Sequence, residues 1–257
     1  MAPEWLREHL RHPRVRVVDL RDADAFATGN VPRAVHLELA ALGTKVGACD
    51  NVLLPPAEFG ALMSRLGISN ADTVIAYDDQ WGLAAARLLW SLHRYGHQAV
   101  AVLDGGWDRW VAEGGAPNAG TTDASPAEPS VPFVADPREE VFADRAWVAA
   151  RARDRTAALL DTRAPAEMER GHIPGAIGWD WFNAVPNDSW SASRDPAELR
   201  GEWAGFGLDG GREVAVYCRS GMRAAHTYMV LKHAGFARVR LYDGSWQDWA
   251  ANTETKV

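Results

Sequence analysis

The segment Cys218-Arg219-Ser220-Gly221-Met222-Arg223 contains the residues of this sequence whose types and spacing best suit covalent chemistry. A free thiol has a pKa of about 8.5, and nearby cations or a helix N-terminus lower such a pKa to roughly 3.5–7.5. Arg219 and Arg223 supply the cations. The pattern therefore predicts that Cys218 is a thiolate nucleophile and that residues 219–223 bind an anionic substrate or a persulfide anion.

The elements on either side of this loop are predicted from hydrophobic periodicity. Residues 213–217 have the apolar pattern of a buried strand, and residues 222–233 have the pattern of a helix that ends before Gly235. In an open parallel sheet, functional groups collect where a strand ends and the chain enters a helix with free N–H groups. We therefore expect the loop to place backbone donors around the Cys218 sulfur.

The sequence contains a long internal repeat. Val17-Val18-Asp19-Leu20-Arg21 is echoed by Leu159-Leu160-Asp161-Thr162-Arg163, and Leu103-Asp104-Gly105-Gly106-Trp107 is echoed by Tyr242-Asp243-Gly244-Ser245-Trp246. The repeat length of roughly 140 residues exceeds the ~20–50 residues of solenoid repeats and indicates a duplicated domain.

The region between the two copies has the composition of a linker, because it is rich in proline, glycine and small polar residues. We predict a first domain at residues 1–114, a linker at residues 115–137 and a second domain at residues 138–257. In each copy short apolar runs alternate with segments of helical periodicity, which favours an α/β fold with a mainly parallel sheet flanked by helices. The predicted strands are residues 15–20, 73–77, 98–103, 158–161, 213–217 and 238–242, and residues 83–95 are predicted as a helix.

The first copy has no thiol at the position of Cys218. Its segment Tyr77-Asp78-Asp79-Gln80-Trp81-Gly82 places Asp78 there, so we expect this copy to lack the nucleophile and to form a wall of the site. Trp81 is interpreted either as lining a pocket between the domains or as a core residue. Cys49 has no basic neighbour and is interpreted as a loop thiol without a role. Neither cysteine has another Cys or His at ligand spacing, so we expect no metal and no cofactor.

Composition excludes several classes of protein. The chain has 257 residues, of which 47% are hydrophobic, and its formal net charge is −7. Hydrophobic content at this level is typical of globular domains, and a net acidic chain has no general attraction for nucleic acid. No apolar stretch approaches the ~18 residues that a membrane span requires, and no secretory signal is apparent. We expect a cytoplasmic protein with neither a nucleic acid nor a membrane as partner.

Taken together, the motifs resemble the tandem-domain rhodanese family of thiosulfate and 3-mercaptopyruvate sulfurtransferases over nearly the whole chain. The segments that carry the resemblance are Asp161-Thr162-Arg163, Gly171-His172-Ile173-Pro174-Gly175-Ala176, the loop from Cys218 to Arg223, and Tyr242-Asp243-Gly244-Ser245-Trp246. The resemblance implies two rhodanese-like domains with the first one inactive. It also implies a ping-pong reaction, in which Cys218 takes a sulfane sulfur from a small anionic donor and passes it to cyanide or to a small-molecule or protein thiol.

The identity of the donor depends on the loop and on two departures from the family pattern. The loop is nearer to the Cys-Arg-x-Gly-x-Arg loops of thiosulfate enzymes than to the Cys-Gly-Ser-Gly loops of mercaptopyruvate enzymes. Glu167 replaces a substrate-binding arginine, and Asn30 replaces a histidine of the mercaptopyruvate enzymes. A carboxylate at position 167 would repel an α-keto acid unless it pairs with an arginine such as Arg223. We predict thiosulfate or a similar donor, with 3-mercaptopyruvate as the alternative, and supporting roles for Asp161, Glu167 and Trp81.

Two other functions compete with sulfur transfer. Cysteine-dependent phosphatases also bind an anion between a cysteine and an arginine, but they use a longer loop than the four residues that separate Cys218 from Arg223 here. A non-catalytic rhodanese-like binding module usually lacks the cysteine, which the second copy retains. We therefore favour a sulfurtransferase. The resemblance and the two-domain design imply a monomer.

Overall fold

The computed structural model of the protein describes residues 1–118, 129, 131–187 and 191–252, which form two compact units. The first unit comprises Met1–Leu42, the described residues of Leu54–Pro137, and the segment that contains Ser191 and Ala192. The second comprises Gly43–Leu53, Arg138–Pro186 and the described residues from Ser193 onward. Residues 119–128 and 130 of the predicted linker, and residues 188–190 and 253–257 of the predicted second domain, lie outside the described residues.

The secondary structure alternates between strands and helices along the chain. The strands are β1 (Val15–Asp19), β2 (Ala34–His36), β3 (Gly43–Val46), β4 (Cys49–Leu53), β5 (Thr73–Tyr77), β6 (Val100–Val102), β7 (Phe142–Ala143), β8 (Ala158–Asp161), β9 (Ile177–Gly178), β10 (Val214–Tyr217) and β11 (Val239–Tyr242). The helices are α1 (Pro3–His9), α2 (Ala23–Thr28), α3 (Pro56–Arg65), α4 (Leu83–Arg94), α5 (Gly106–Ala112), α6 (Arg145–Asp154), α7 (Pro165–Glu169), α8 (Pro196–Ala204), α9 (Met222–His233) and α10 (Ser245–Ala251). Short 3₁₀ helices lie at Leu39–Leu42, Glu139–Val141 and Trp181–Ala184.

Each unit is built on its own parallel sheet. In the first unit the strand order is β2-β1-β5-β6, and in the second it is β7-β11-β10-β8-β9. The central strand β10 is buried throughout its length, as is typical of parallel strands covered by helices. Core residues of the first unit include Val17, Ile75, Tyr77 and Trp110; those of the second include Leu159, Ala215, Tyr217 and Trp249.

The predicted fold class is confirmed, and several predicted bounds match the structure. β5, β8 and α9 have the predicted ends, and α4 ends at Arg94, one residue before the predicted end. β6 is shorter than predicted, since only Val100–Val102 pair with β5. Among the described residues, no helix is both long enough and apolar enough to cross a membrane.

An antiparallel hairpin was not predicted. It consists of β3 and β4 and belongs to the second unit, although it lies within the first copy of the sequence repeat. The Leu53 N–H donates to Asp243 Oδ2 at 2.8 Å, and the Asp50 N–H donates to Gln247 Oε1 at 3.0 Å. The predicted domain ranges are continuous in sequence, whereas the compact units are not. Contacts between residues so distant in sequence leave no local periodicity for a prediction to use.

The second cysteine also lies on this hairpin. Cys49 begins β4 and is buried, so it is not the loop thiol that we predicted. Burial raises the pKa of the Cys49 thiol, and the negative charge of Asp248 raises it further. A buried thiol with a raised pKa is a poor nucleophile.

The described end of the predicted linker is packed against the first unit. Phe133 is only 4% exposed, and its ring contacts that of Phe59 edge-on, with 5.9 Å between ring centroids. Its N–H donates to Ser64 Oγ at 2.9 Å, and the Val134 N–H donates to Asn70 Oδ1 at 2.7 Å. Proline and glycine content predicted a linker here, but one aromatic residue anchors this part of it.

We expect Phe133→Ala to lower the free energy of unfolding of the first unit by about 3 kcal/mol, because it removes a buried aromatic side chain. The matched control is Val134→Ala, since Val134 is 65% exposed; its effect should remain within about 0.5 kcal/mol. Urea unfolding of the full chain measures both. Equal midpoints for the two variants would show that this segment is not anchored.

Candidate active site

The predicted nucleophile lies at the end of the central strand of the second unit. Cys218 follows β10 directly, and α9 begins after Gly221, which adopts the left-handed φ of 86°. Glycine fits this position because left-handed backbone is costly for residues with a Cβ. Cys218 is 1% exposed, whereas Arg219 is exposed and Arg223 is half-buried. The predicted strand–loop–helix arrangement is therefore present around the thiol.

The first unit contains a loop of the same design between β5 and α4. Asp78 follows β5, and Gly82 precedes α4 with a φ of 79°. The buried Asp78 carboxylate accepts hydrogen bonds at 2.8–2.9 Å from four backbone N–H groups, those of Gln80, Gly82, Ala84 and Ala85. This loop therefore binds an anion, its own side chain, with main-chain donors at the start of a helix.

The loop of Cys218 contains the corresponding main-chain groups. When α4 and α9 are aligned at their first residues, Gly221, Arg223 and Ala224 match Gly82, Ala84 and Ala85. Among the described residues, none accepts a hydrogen bond from the backbone N–H of these three second-unit residues. The Cys218 loop is also one residue shorter before its glycine. The second copy thus has counterparts of three of the four donors that bind a carboxylate in the first, together with a thiol instead of a carboxylate.

An ion pair links the Cys218 loop to α7. Arg223 donates through Nη1 and Nη2 to the two carboxylate oxygens of Glu167 at 2.5 and 2.9 Å. This pairing lowers the pKa of Glu167, and it raises the pKa of Arg223, to which the negative charge of a Cys218 thiolate also contributes. The equivalent positions in the first copy are Ala25 and Ala84, so the pair is specific to the second unit.

A buried cluster of charged and aromatic residues occurs in both units. Its members are Asp161, Arg163, Tyr217 and Trp246 in the second unit and Asp19, Arg21, Tyr77 and Trp107 in the first. In each cluster the arginine Nη2 donates to an aspartate Oδ2 at 2.6 Å, and its guanidinium lies over the tryptophan ring, at 4.6 Å in the second unit and 4.1 Å in the first. Burial, and secondly the charge of Asp161, raise the pKa of Tyr217. Since the first unit has no thiol, the repetition favours an architectural role for Asp161.

Two other residues singled out from the sequence lie in the first unit. Trp81 is in the Asp78 loop, 41% exposed, with a left-handed φ of 54°. Its place beside a pocket stays a prediction. Asn30 is buried, and its Nδ2 donates to the Phe26 carbonyl at 3.1 Å.

One residue close to Cys218 was not identified from the sequence. Ser245 Oγ accepts a hydrogen bond from the Cys218 N–H at 3.2 Å. The signal was present in the repeat, because Ser245 replaces Gly106 in an otherwise similar motif. The role of Ser245 depends on which segment of the main chain lies beside its side chain, and the local sequence does not show this.

Comparisons with known proteins agree with this geometry. The profile of the Rhodanese-like domain family matches residues 2–113 and 144–252. The "Thiosulfate sulfurtransferase" of Corynebacterium glutamicum is 35% identical over 97% of this chain and 86% of its own length. The "Sulfur carrier protein TtuD" of Thermus thermophilus is 31% identical over 97% of this chain and 92% of its own length.

A solved structure is similar over nearly the full length of both proteins. SseA from Escherichia coli, described with the 3-mercaptopyruvate sulfurtransferases, aligns with a TM-score of 0.86 at 27% identity and covers 96% of this chain and 98% of its own. The matched ranges include both sequence copies and every strand of the two parallel sheets except β7. The resemblance inferred from the motifs is therefore confirmed, and the chain belongs to the rhodanese family.

Proposed function

We propose that this protein is a sulfurtransferase that moves a sulfane sulfur from thiosulfate to a thiophilic acceptor through a persulfide on Cys218. The observation that carries the proposal is the pair of loops. In the first copy, main-chain N–H groups bind the Asp78 carboxylate. In the second copy, a loop one residue shorter has counterparts of three of these N–H groups and a thiol in place of the carboxylate, so the bound anion would be the sulfur itself.

The two half-reactions need no oxidant and no reductant. The Cys218 thiolate attacks the outer sulfur of thiosulfate, a new S–S bond forms, and sulfite leaves with the electron pair of the broken S–S bond. A cyanide or thiolate acceptor then attacks the terminal sulfur of the persulfide. That step forms the bond from the acceptor to sulfur and returns the electron pair to Cys218 as thiolate.

The residues of the loop have separate roles in this proposal. Arg223 lies in the first turn of α9, where its positive charge would attract an anionic donor and the persulfide anion. Arg219 is exposed and can attract the dianionic donor. The backbone N–H groups of Gly221, Arg223 and Ala224, which match donors of the first loop, provide the anion-binding donors, and those of Ser220 and Met222 lie beside them in the chain. These roles resemble the way an oxyanion hole stabilises charge that develops during a reaction.

The Glu167–Arg223 pair favours thiosulfate over 3-mercaptopyruvate as the donor. An α-keto acid is recognised best by a guanidinium whose two parallel N–H groups face its carboxylate. In this site both Nη atoms of Arg223 already bind Glu167. 3-Mercaptopyruvate is the alternative donor, because SseA, a structural neighbour, is described with the 3-mercaptopyruvate enzymes.

Other parts of the proposal follow from the chemistry of a free thiol. The described cysteines are both unpaired, and free thiols persist in reducing compartments such as the cytoplasm. We propose a cytoplasmic monomer whose acceptor is a small-molecule or protein thiol.

Thiosulfate should add the mass of one sulfur atom to the wild-type protein, as measured by intact-protein mass spectrometry. Cys218→Ser should show no such gain. The matched control is Cys49→Ser, which should still gain the sulfur, because the pKa of the Cys49 thiol is raised and it lies in the hairpin strand β4. If wild type gains no sulfur from any sulfane donor, a non-catalytic binding module replaces this proposal. Hydrolysis of an aryl phosphate that disappears in Cys218→Ser would indicate a phosphatase.

Replacing Glu167 by glutamine should release the Arg223 fork to bind a substrate carboxylate. Such a charge-assisted bond contributes about 1.5–3 kcal/mol, so kcat/KM for 3-mercaptopyruvate relative to thiosulfate should rise roughly tenfold or more. Glu169→Gln is the control, because it removes the same charge from the same helix at an exposed position. An equal donor ratio in both variants would contradict the role of Glu167 in donor choice.

For wild type, kcat/KM for 3-mercaptopyruvate relative to thiosulfate should be constant from mildly acidic to neutral pH. The pKa of Glu167 is lowered, so the pair is fully present above the usual glutamate pKa of about 4.3 and is lost only as the pH falls through the lower folded-state value. Steady-state assays with both donors at several pH values test this. A ratio that rises steeply between neutral pH and mildly acidic pH would show that Glu167 is not held ionised by Arg223.

The first-copy loop provides a test of anion binding that is independent of sulfur chemistry. Asp78→Asn should lower the stability of the first unit by about 2 kcal/mol, because hydrogen bonds to a charged acceptor are replaced by bonds to a neutral one. Asp79→Asn alters an exposed neighbour and should have little effect. Thermal unfolding of the full chain measures both, and equal midpoints would show that this loop has no preference for an anion.

A further inference from the structure

Ser245 combines complete burial, an unfavourable backbone conformation and a hydrogen bond to the nucleophile. It is the first residue of α10, is fully buried, and has a left-handed φ of 51°. Such a conformation is costly for a residue with a Cβ and persists where the surroundings require it. The Ser245 hydroxyl accepts from the Cys218 N–H at 3.2 Å and donates to the Tyr242 carbonyl at 2.8 Å. The Ser245 hydroxyl therefore connects two main-chain segments, one at Cys218 and one at Tyr242.

The first copy shows what this position requires when no thiol is present. Gly106 occupies it with a φ of 54°, and a Cβ there would lie 2.1 Å from the Asp78 carbonyl oxygen. No side chain fits at that distance, so the first copy is restricted to glycine. In the second copy the left-handed conformation is kept, but the backbone leaves room for a serine side chain. The serine thus occurs in the copy that has the nucleophile.

The start of α10 holds the Cys218 main chain at two points. The Trp246 N–H donates to the Cys218 carbonyl at 3.0 Å, and the Trp107 N–H makes the same contact with Asp78 in the first copy. The contact to the carbonyl is therefore common to both copies. The Cys218 N–H also donates to the Ser245 hydroxyl. The first copy cannot form this bond, because Gly106 has no side-chain acceptor.

We propose that Ser245 is a positioning residue for sulfur transfer, and this inference rests on the proposed function. Its hydroxyl fixes the Cys218 amide, so that the Cys218 main chain is held on both its donor and its acceptor side. The thiol is thereby oriented toward the N–H groups of the loop and toward the incoming sulfur. Loss of this orientation slows the chemical step more than it weakens donor binding, because small displacements of a reacting atom have large effects on rate.

The test compares Ser245→Gly with Ser245→Ala in the full chain. Glycine removes the hydroxyl and relieves the left-handed conformation, whereas alanine removes the hydroxyl and keeps that cost. The thermal midpoint of Ser245→Gly should therefore be higher than that of Ser245→Ala. For each, the rate of Cys218 persulfide formation from thiosulfate is measured in a single turnover, together with kcat and KM.

A positioning role predicts that both variants lose about tenfold in the single-turnover rate and in kcat, with KM for thiosulfate close to wild type. A purely structural role predicts that activity follows stability, so a Ser245→Gly variant with the wild-type rate overturns the inference. If Ser245→Ala does not fold, the glycine variant alone decides. If wild type itself forms no persulfide, the proposed function fails and the inference fails with it. Persulfide formation at equal rates in wild type and Ser245→Gly removes only the inference.

Discussion

Main-chain N–H groups can bind an anion where a parallel strand passes into a helix, and the proposed chemistry depends on this interaction. In the first copy this interaction is visible, because the Asp78 carboxylate accepts four such hydrogen bonds. Main-chain donors of this kind are fixed by the fold and need no rearrangement when an anion forms. We propose that the corresponding N–H groups of the Cys218 loop bind a sulfur anion in the same way, in a protein whose net charge is negative.

The duplication separates architecture from chemistry. The cluster of aspartate, arginine, tyrosine and tryptophan recurs in both units with closely similar distances, so it serves the fold. Features that occur only in the second unit are the thiol, the Arg223–Glu167 pair and the Ser245 hydroxyl. All three lie in or beside the Cys218 loop, where we propose that sulfur transfer takes place. The first copy acts as an internal control that a single-domain protein would lack.

The elements that define the sheets could be predicted from the sequence, because buried parallel strands and amphipathic helices have distinct periodicities. β5, β8 and α9 were predicted with their observed ends, and the position of Cys218 between strand and helix followed from them. The sequence suggested an ion pair between Glu167 and Arg223 as one possibility but did not decide it. The two residues are far apart in sequence, and only the fold shows the distance between them.

Other features depended on information that local patterns do not contain. The β3–β4 hairpin belongs to the unit of the other sequence copy, which reflects hydrogen bonds between residues almost 200 positions apart. Phe133 anchors part of a segment whose proline and glycine content is typical of a linker. Ser245 became interpretable only once its left-handed backbone and its contact with Cys218 were known. In each case a tertiary contact outweighs the local composition.

Amide NMR spectroscopy of ¹⁵N-labelled protein tests most directly whether main-chain N–H groups bind the sulfur anion. On addition of thiosulfate, the amide resonances of Gly221, Arg223 and Ala224 should shift strongly, whereas those of Gly82, Ala84 and Ala85, already bonded to Asp78, should remain in place. Cys218→Ser should lose the shifts that accompany persulfide formation. Persulfide formation on Cys218 without any change at these three amides would contradict the account.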